Sequence, residues 1–143
     1  MNRTIISEFD VALGDCDPAG IVFFPNYARW MDEASRNYLV RIGTPSWRTM
    51  APTLGALDMQ VLEAHTRFRL PATYGTHLHV HTRVTEWREN AFVQKHVVKR
   101  GDEILCESTE VRAFVVHSDE ASRQIKIVSI PRDIRDLGSP TQH

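Results

Sequence analysis

The chain has 143 residues and a formal net charge of −1 at pH 7, with 42% hydrophobic and 24% charged residues. These values are typical of a single globular domain, which we expect to span residues 1–143 and to bury its own core. The balanced charge leaves no global attraction to nucleic acid or to an anionic membrane, and no apolar run is long enough to span a membrane.

The N-terminus and the cysteines indicate a reducing compartment. The chain reaches Glu8 too soon for a secretory signal peptide. Cys16 and Cys106 form no C-x-x-C pair and have no spacing typical of a metal site. We therefore expect two free thiols and a cytoplasmic protein.

The first predicted elements are a strand, a turn-rich loop and one long helix. Residues 3–13 alternate in hydrophobicity, which predicts a strand, and residues 14–20 are rich in turn formers. Asn26 could cap a helix. Apolar residues recur after it at helical spacing, namely Tyr27, Trp30, Met31, Ala34, Tyr38 and Ile42. Gly43 followed by Pro45 predicts the end of this helix after about 16 residues.

The rest of the chain is predicted to consist mainly of strands. Residues 45–55 are irregular, with room for one helical turn. Strands are predicted at 57–69, 77–88, 91–100, 103–117 and 124–130, because turn residues separate these stretches. A short C-terminal helix is predicted to begin at Pro131.

This order of elements predicts an α+β architecture, in which an antiparallel sheet of five to six strands wraps around one long helix. One helix cannot cover both faces of such a sheet, and the sheet edges stay open. A homo-oligomer, either a dimer or a tetramer of two dimers, would address the open edges by continuing the sheet across two chains.

The loop between the first strand and the helix carries the residues best suited to catalysis. Backbone N–H groups at a helix N-terminus lack partners and can stabilise an oxyanion that forms on a carbonyl. Asp17 lies nine residues before Asn26, within reach of that helix start, and a carboxylate there could attack the carbonyl or activate a water. The alternative interpretation is that Asp15 and Asp17 only hydrogen-bond to the backbone of their own turn.

The stretch from Gly14 to Tyr27 reads G-D-C-D-P-A-G-I-V-F-F-P-N-Y. It resembles the hallmark of the 4-hydroxybenzoyl-CoA thioesterase family, of the hotdog superfamily. The similarity continues at residues 29–38, 45–48 and 86–96 and ends in the region of Pro131, so it covers most of the chain. The resemblance implies a hotdog fold and an enzyme that hydrolyses an acyl-CoA thioester.

The resemblance also implies roles for particular residues. Asp17 matches the family's catalytic carboxylate, and the backbone amide of Phe24 matches the group that polarises the thioester carbonyl. Asp32 and Trp47 match residues that line the pocket for the aromatic acyl group, and Arg88 matches a residue that faces the coenzyme A phosphates. The family often has Tyr where this chain has Phe24. One member of the family has more basic residues directly after the position of Arg88, where this chain has Glu89 and Asn90.

The implied substrate is an aromatic, hydroxybenzoyl-like acyl-CoA, and no cofactor is expected, since a thioester needs no metal for its activation. A short-chain or aliphatic acyl-CoA substrate and a non-catalytic acyl-CoA binding module remain as alternatives. A hotdog dehydratase is disfavoured because it would need a histidine on the helix, and no histidine lies between Met1 and Ala64.

The histidines are assigned no catalytic role. His77, His79 and His81 alternate along one predicted strand and share one face. Three ligands along a single strand span too far to enclose one ion, so we expect a solvated or interfacial face and no metal. His96, beside Lys95, is expected at the surface, where it could contact phosphates.

Overall fold

The computed structural model describes residues 3–43, 58–117, 124–130 and 132–138. The elements in this part of the chain are, in order, β1 (Ile5–Asp10), α1 (Pro25–Ile42), β2 (Asp58–Phe68), β3 (His77–Trp87), β4 (Phe92–Arg100), β5 (Glu103–His117), β6 (Ile125–Val128) and α2 (Arg132–Gly138). A short 3₁₀ helix at Leu13–Asp15 follows β1. None of the described helices combines the length and the hydropathy that a membrane crossing requires.

The strands form one antiparallel sheet in the order β1-β3-β4-β5-β2, and β6 pairs with the C-terminal end of β5. β2 pairs with β5 along almost its whole length, from Asp58 opposite Val115 to Phe68 opposite Cys106. Its other edge pairs with no described strand. One long helix and a six-stranded antiparallel sheet confirm the predicted α+β architecture.

The buried face of α1 joins two hydrophobic clusters that lie along the sheet. One cluster surrounds Trp30 and Met31 and includes Leu78, Val80 and Val98 of the sheet. The other surrounds Tyr38 and Leu39 in the C-terminal half of the helix, with sheet residues such as Val84, Phe92 and Phe114. The alternation of apolar residues on the strands therefore faces the helix, as the periodicity predicts.

A row of buried polar residues, here called the polar belt, separates these two clusters. Its members are Ser35, Thr82, Gln94, His96, Ser108, Glu110 and Arg112. On β3, for example, Thr82 lies between Val80 of one cluster and Val84 of the other. Buried polar groups require hydrogen-bond partners, and the belt supplies most of them internally.

The start of the helix differs from the prediction. The helix begins at Pro25, and its N-cap residue is Phe24, which makes no side-chain cap hydrogen bond. The prediction that Asn26 caps the helix is therefore wrong. A proline fits the first helical position because its missing N–H would have had no partner there, and the Asn26 side chain instead donates to the Asp15 carbonyl at 2.8 Å.

Most other predicted boundaries hold within a few residues. The helix ends at Gly43, whose φ of 117° is left-handed and suits glycine. The first strand stops at Asp10, earlier than predicted, because residues 13–15 turn into the 3₁₀ helix. The irregular segment predicted at 45–55 lies outside the described residues, and so does Pro131.

Candidate active site

Asp17 lies in a tight turn that is closed by two backbone hydrogen bonds. Its N–H donates to the Ile21 carbonyl at 2.8 Å, and the Gly20 N–H donates to the Asp17 carbonyl at 2.9 Å. Its side-chain Oδ1 accepts the Ala19 N–H at 2.9 Å and the Ile21 N–H at 3.4 Å. The turn therefore fixes one carboxylate oxygen, while Oδ2 makes no hydrogen bond to the described residues.

Asp15 is held more fully than Asp17. Its Oδ2 accepts the Ala12 N–H at 2.8 Å, and its Oδ1 forms an ion pair with Arg29 Nη2 of α1 at 2.6 Å. Oδ1 of Asp15 thus connects the loop to the helix, whereas Oδ2 binds the backbone of the loop itself, and Asp15 fixes the position of the loop. Both carboxylates therefore accept backbone N–H groups of the turn, as one of the two interpretations expects, and they differ in that Oδ2 of Asp17 makes no hydrogen bond to the described residues.

Around the helix start, one amide has no hydrogen-bond partner within the part of the chain that the structure describes. The Phe23 N–H donates to the Asp15 carbonyl at 2.9 Å, the Asn26 N–H to the Phe23 carbonyl at 2.9 Å, and the Tyr27 N–H to the Phe24 carbonyl at 3.2 Å. Pro25 has no N–H. The Phe24 N–H donates to none of the described residues. It lies at the N-terminus of the helix, which carries the partial positive charge of the helix dipole. Its position suits an oxyanion donor.

An apolar cleft of about 230 Å3 adjoins this helix start, lined by Ile21, Val22, Phe24, Tyr27, Phe68, Arg69, Leu70 and Pro71. The Phe24 ring lies 5.9 Å from the Phe68 ring of β2, in an edge-to-face arrangement. Phe24 is 62% exposed and Phe68 is 50% exposed. Asp17 does not line this cleft within one chain. Large apolar rings exposed beside the open edge of a sheet are typical of a surface that a partner covers.

Asp32 lies on α1, where its carboxylate meets the end of the polar belt. Its Oδ1 accepts a hydrogen bond from Arg112 Nη1 at 3.0 Å, and its Oδ2 pairs with Arg36 Nε at 3.4 Å. The Arg112 side chain is 1% exposed, whereas that of Asp32 is 43% exposed. Asp32 is therefore a solvent-facing carboxylate oriented by a buried arginine, and a ligand could reach it.

Behind Arg112 the polar belt forms a continuous chain of hydrogen bonds. Arg112 Nη2 lies 3.1 Å from Glu110 Oε1, which is also 2.5 Å from His96 Nε2. His96 Nδ1 in turn lies 2.8 Å from the Thr82 hydroxyl. Burial alone would raise the pKa of Glu110, but its hydrogen bonds and charge contacts with His96 and Arg112 outweigh burial and lower the pKa overall.

This network contains the residues that the sequence analysis missed or placed wrongly. The expectation of His96 at the surface is wrong, because the residue is fully buried. Glu110 and Arg112 were not singled out. The available signal was their spacing: opposite charges two residues apart on a strand share a face, and that face carries the buried Cys106 and Phe114.

Arg88 lies at the other end of the molecule from Asp17 within one chain. It follows β3 directly, and its Nη2 pairs with Glu86 Oε2 at 2.9 Å. The opposite end of β3, at His77, lies near the loop that contains Asp17. There the Val11 N–H, just before that loop, donates a hydrogen bond to the Thr76 carbonyl, just before β3. Ten residue steps along a strand cover about 33 Å. Arg88 and Asp17 can therefore share a substrate only across two subunits or along an extended ligand. Trp47 lies outside the described residues.

The two cysteines are free thiols, with Cys106 buried and Cys16 partly exposed. Burial raises the pKa of Cys106 to about 12, so this thiol stays protonated and is unsuited to nucleophilic attack. Among the described residues, the one group of three side chains able to hold a metal ion lies on the outer face of β1 and β3.

Comparisons with known proteins agree with this geometry. The model of the thioesterase-like superfamily matches residues 11–137. The chain is 37% identical, over 97% of its length and 100% of the relative, to 4-hydroxybenzoyl-CoA thioesterase of Pseudomonas sp. (strain CBS-3).

Two solved structures extend the comparison. The crystal structure of the D17N mutant of 4-hydroxybenzoyl CoA thioesterase complexed with 4-hydroxybenzoyl CoA superposes with a TM-score of 0.90 at 35% identity, covering 96% of this chain and 99% of that one. A gentisyl-coenzyme A thioesterase superposes with a TM-score of 0.78 at 27% identity, covering 94% and 98%.

Proposed function

The chain belongs to the thioesterase-like superfamily and is an acyl-CoA thioesterase of the hotdog fold, and we propose that its substrate carries an aromatic, hydroxybenzoyl-like acyl group. The reaction is hydrolysis of the thioester to the free acid and coenzyme A. The observation that carries the proposal is that, among the described residues, Asp17 Oδ2 accepts no hydrogen bond and the Phe24 N–H at the helix start donates none.

The roles follow from the two groups. The Phe24 N–H donates to the thioester carbonyl oxygen and stabilises the negative charge that develops on it. In one route, Asp17 Oδ2 attacks the carbonyl carbon, the coenzyme A thiolate leaves and picks up a proton, and water opens the mixed anhydride. In the other route, Asp17 takes a proton from a water that attacks the same carbon, the C–S bond breaks, and the proton passes to the departing coenzyme A thiolate. Both routes give the same products, and both need the carboxylate.

The relative crystallised with 4-hydroxybenzoyl CoA carries an aspartate-to-asparagine change at its own position 17. The two chains align over nearly their whole lengths, and such a change would remove the negative charge while keeping the shape of the side chain. This supports the assignment of Asp17 as the group whose loss lets the thioester persist.

Asp32 supports an acyl group with a hydrogen-bond donor. It lies eight residues beyond Phe24 on α1, which is about 12 Å of helical rise. A 4-hydroxybenzoyl group has a length similar to this rise when one hydrogen bond to its carbonyl oxygen and one from its ring hydroxyl are included. Arg112 orients the Asp32 carboxylate, so we assign it as acceptor for a ring hydroxyl. Trp47 is proposed to line the same pocket.

We further propose a homodimer in which the free edges of two β2 strands pair, with a tetramer of two dimers as the larger assembly. The exposed apolar residues Val61, Leu62 and Phe68 lie on β2. Arg88 and Asp17 lie at opposite ends of the sheet in one chain. Antiparallel pairing of two β2 strands would place the end with Arg88 in the second copy beside the end with Asp17 in the first. Arg88 would then face the coenzyme A phosphates across the interface.

A charge on this edge tests the dimer. Val61→Glu should shift the sedimentation coefficient from that of a dimer or tetramer to that of a monomer and lower thioesterase activity with it. Ile125→Glu, on the exposed strand β6, is the matched control and should keep the wild-type assembly. A monomeric wild-type protein, or a fully assembled Val61→Glu protein, would contradict the proposed interface.

Substrate class is tested by thiol release from a panel of acyl-CoA thioesters. We expect wild-type kcat/KM to be highest for 4-hydroxybenzoyl-CoA, lower for benzoyl-CoA and lowest for short aliphatic acyl-CoA. In Asp32→Asn the preference for the hydroxylated ring should shrink, because a charged acceptor is lost. Turnover confined to aliphatic substrates would refute the aromatic proposal, and tight binding without thiol release would favour a binding module.

A further inference from the structure

The outer face of β1 and β3 carries facing rows of carboxylates and imidazoles, on the side of the sheet away from α1. In the antiparallel register, Glu8 lies opposite His79 and Asp10 lies opposite His77. The alternate residues Leu78 and Val80 are fully buried under the helix, so the histidines point outward. None of these four outward-facing residues has a role in the thioesterase site proposed above.

Three of these side chains converge on one point. His77 Nε2 lies 2.9 Å from Glu8 Oε1, and His79 Nε2 lies 3.2 Å from the same oxygen. All three potential ligand atoms lie within 4.8 Å of one another. In tetrahedral coordination with metal–ligand bonds of about 2.0–2.2 Å, neighbouring ligand atoms are separated by roughly 3.4 Å, so small side-chain adjustments would accommodate an ion.

Asp10 completes the arrangement. Its Oδ1 lies 2.7 Å from His77 Nδ1, which leaves Nε2 of the same ring directed at Glu8. Metal-binding histidines commonly donate their second ring N–H to a carboxylate, which fixes the ring and increases its basicity as a ligand. Asp10 and His77 have this geometry, which a chance surface ion pair does not require.

We propose that Glu8, His77 and His79 form a site for a divalent transition-metal ion, with Zn²⁺ the best match to two imidazoles and one carboxylate. Asp10 orients His77. The three ligands are exposed or half-buried, so water would fill the remaining coordination position. Because Glu8 belongs to the edge strand β1 and both histidines to β3, the bound ion would clamp that edge strand onto the sheet.

The sequence predicted no metal here, because three histidines along one strand span too far to enclose a single ion. The third ligand comes instead from β1, through a strand pairing between residues about 70 positions apart in the chain. His81 is excluded from the site, because the group within ligand distance contains only Glu8, His77 and His79. The neighbouring positive charge of Lys99, opposite His79 on β4, opposes cation binding and favours a site of moderate affinity.

Titration of ZnCl₂ into the full chain, without a histidine tag and stripped with a chelator, tests the proposal by calorimetry. We expect one Zn²⁺ per chain in the wild-type protein. His79→Gln and Glu8→Gln should each weaken binding at least tenfold, and Asp10→Asn about tenfold, the lower end of the range for groups that orient a ligand. The matched control His81→Gln, on the same face, should bind as the wild type does.

A second measurement separates loss of the site from loss of the fold. Saturating Zn²⁺ should raise the midpoint of thermal unfolding in the wild type and in His81→Gln, but not in His79→Gln or Glu8→Gln, whose circular dichroism should match the wild type without metal. The proposal is overturned if the wild-type protein binds no Zn²⁺, or if His81→Gln weakens binding as much as His79→Gln does.

Discussion

Replacement of Arg112 by Met should destabilise the protein severely, although Arg112 lies outside the hydrophobic clusters. The guanidinium is buried and contacts two carboxylates, Asp32 at 3.0 Å and Glu110 at 3.1 Å. Met fills much of the same volume but leaves the buried carboxylate of Glu110 with His96 as its remaining side-chain hydrogen-bond partner among the described residues. Removal of one member of a buried ion pair costs about 3–5 kcal/mol.

The matched control is Arg36→Met, which removes the other arginine that contacts Asp32. That pair is 3.4 Å apart and both side chains are substantially exposed, so solvent screens it and its loss should cost about 0–1 kcal/mol. The assay is urea unfolding at neutral pH, with the free energy of unfolding extrapolated to water. A cost under about 1 kcal/mol for Arg112→Met would refute the claim that the polar belt depends on this charge.

Two further predictions follow from the belt and from the helix start. Because His96 and Arg112 hold the folded-state pKa of Glu110 below its ordinary value of 4.5, its carboxylate stabilises the fold above that pH, and this contribution is lost as the pH falls through the folded-state pKa. Between about pH 6 and 3, the free energy of urea unfolding should therefore fall less in Glu110→Gln than in the wild type. An equal fall in both proteins would contradict the stabilising role of the Glu110 carboxylate. Phe24→Pro removes the N–H at this position, and the Phe24 φ of −55° accommodates a proline, whereas Phe24→Ala keeps the N–H. We expect kcat of the proline variant to be about 10²–10³-fold lower than that of the alanine variant. Equal kcat values would exclude the Phe24 N–H as oxyanion donor.

Local patterns predicted the elements because each depends on neighbouring residues. The spacing from Tyr27 to Ile42 predicted α1, and Gly43 predicted its end with the left-handed φ that the structure has. The cap at Asn26 failed because tertiary contact competes with local capping: the Asn26 side chain serves the Asp15 carbonyl instead.

The residues that the sequence did not reveal are those whose surroundings depend on the register between paired strands. His96 looks like a surface residue beside Lys95, and only the register that places it within reach of Glu110 and Thr82 explains its burial. The Glu8 cluster depends in the same way on β1 pairing with β3. Such registers are set by the packing of the whole sheet, which no short motif encodes.

The most direct test of the central claim is thiol release from 4-hydroxybenzoyl-CoA by Asp17→Asn, measured beside Asp102→Asn, an exposed acid in the turn between β4 and β5. If Asp17 supplies the carboxylate that attacks the thioester or activates water, kcat of Asp17→Asn should fall by about 10²–10⁴-fold, while Asp102→Asn keeps wild-type turnover. Wild-type kcat in a correctly folded Asp17→Asn protein would contradict the account, because the loop would then contribute shape and no chemistry.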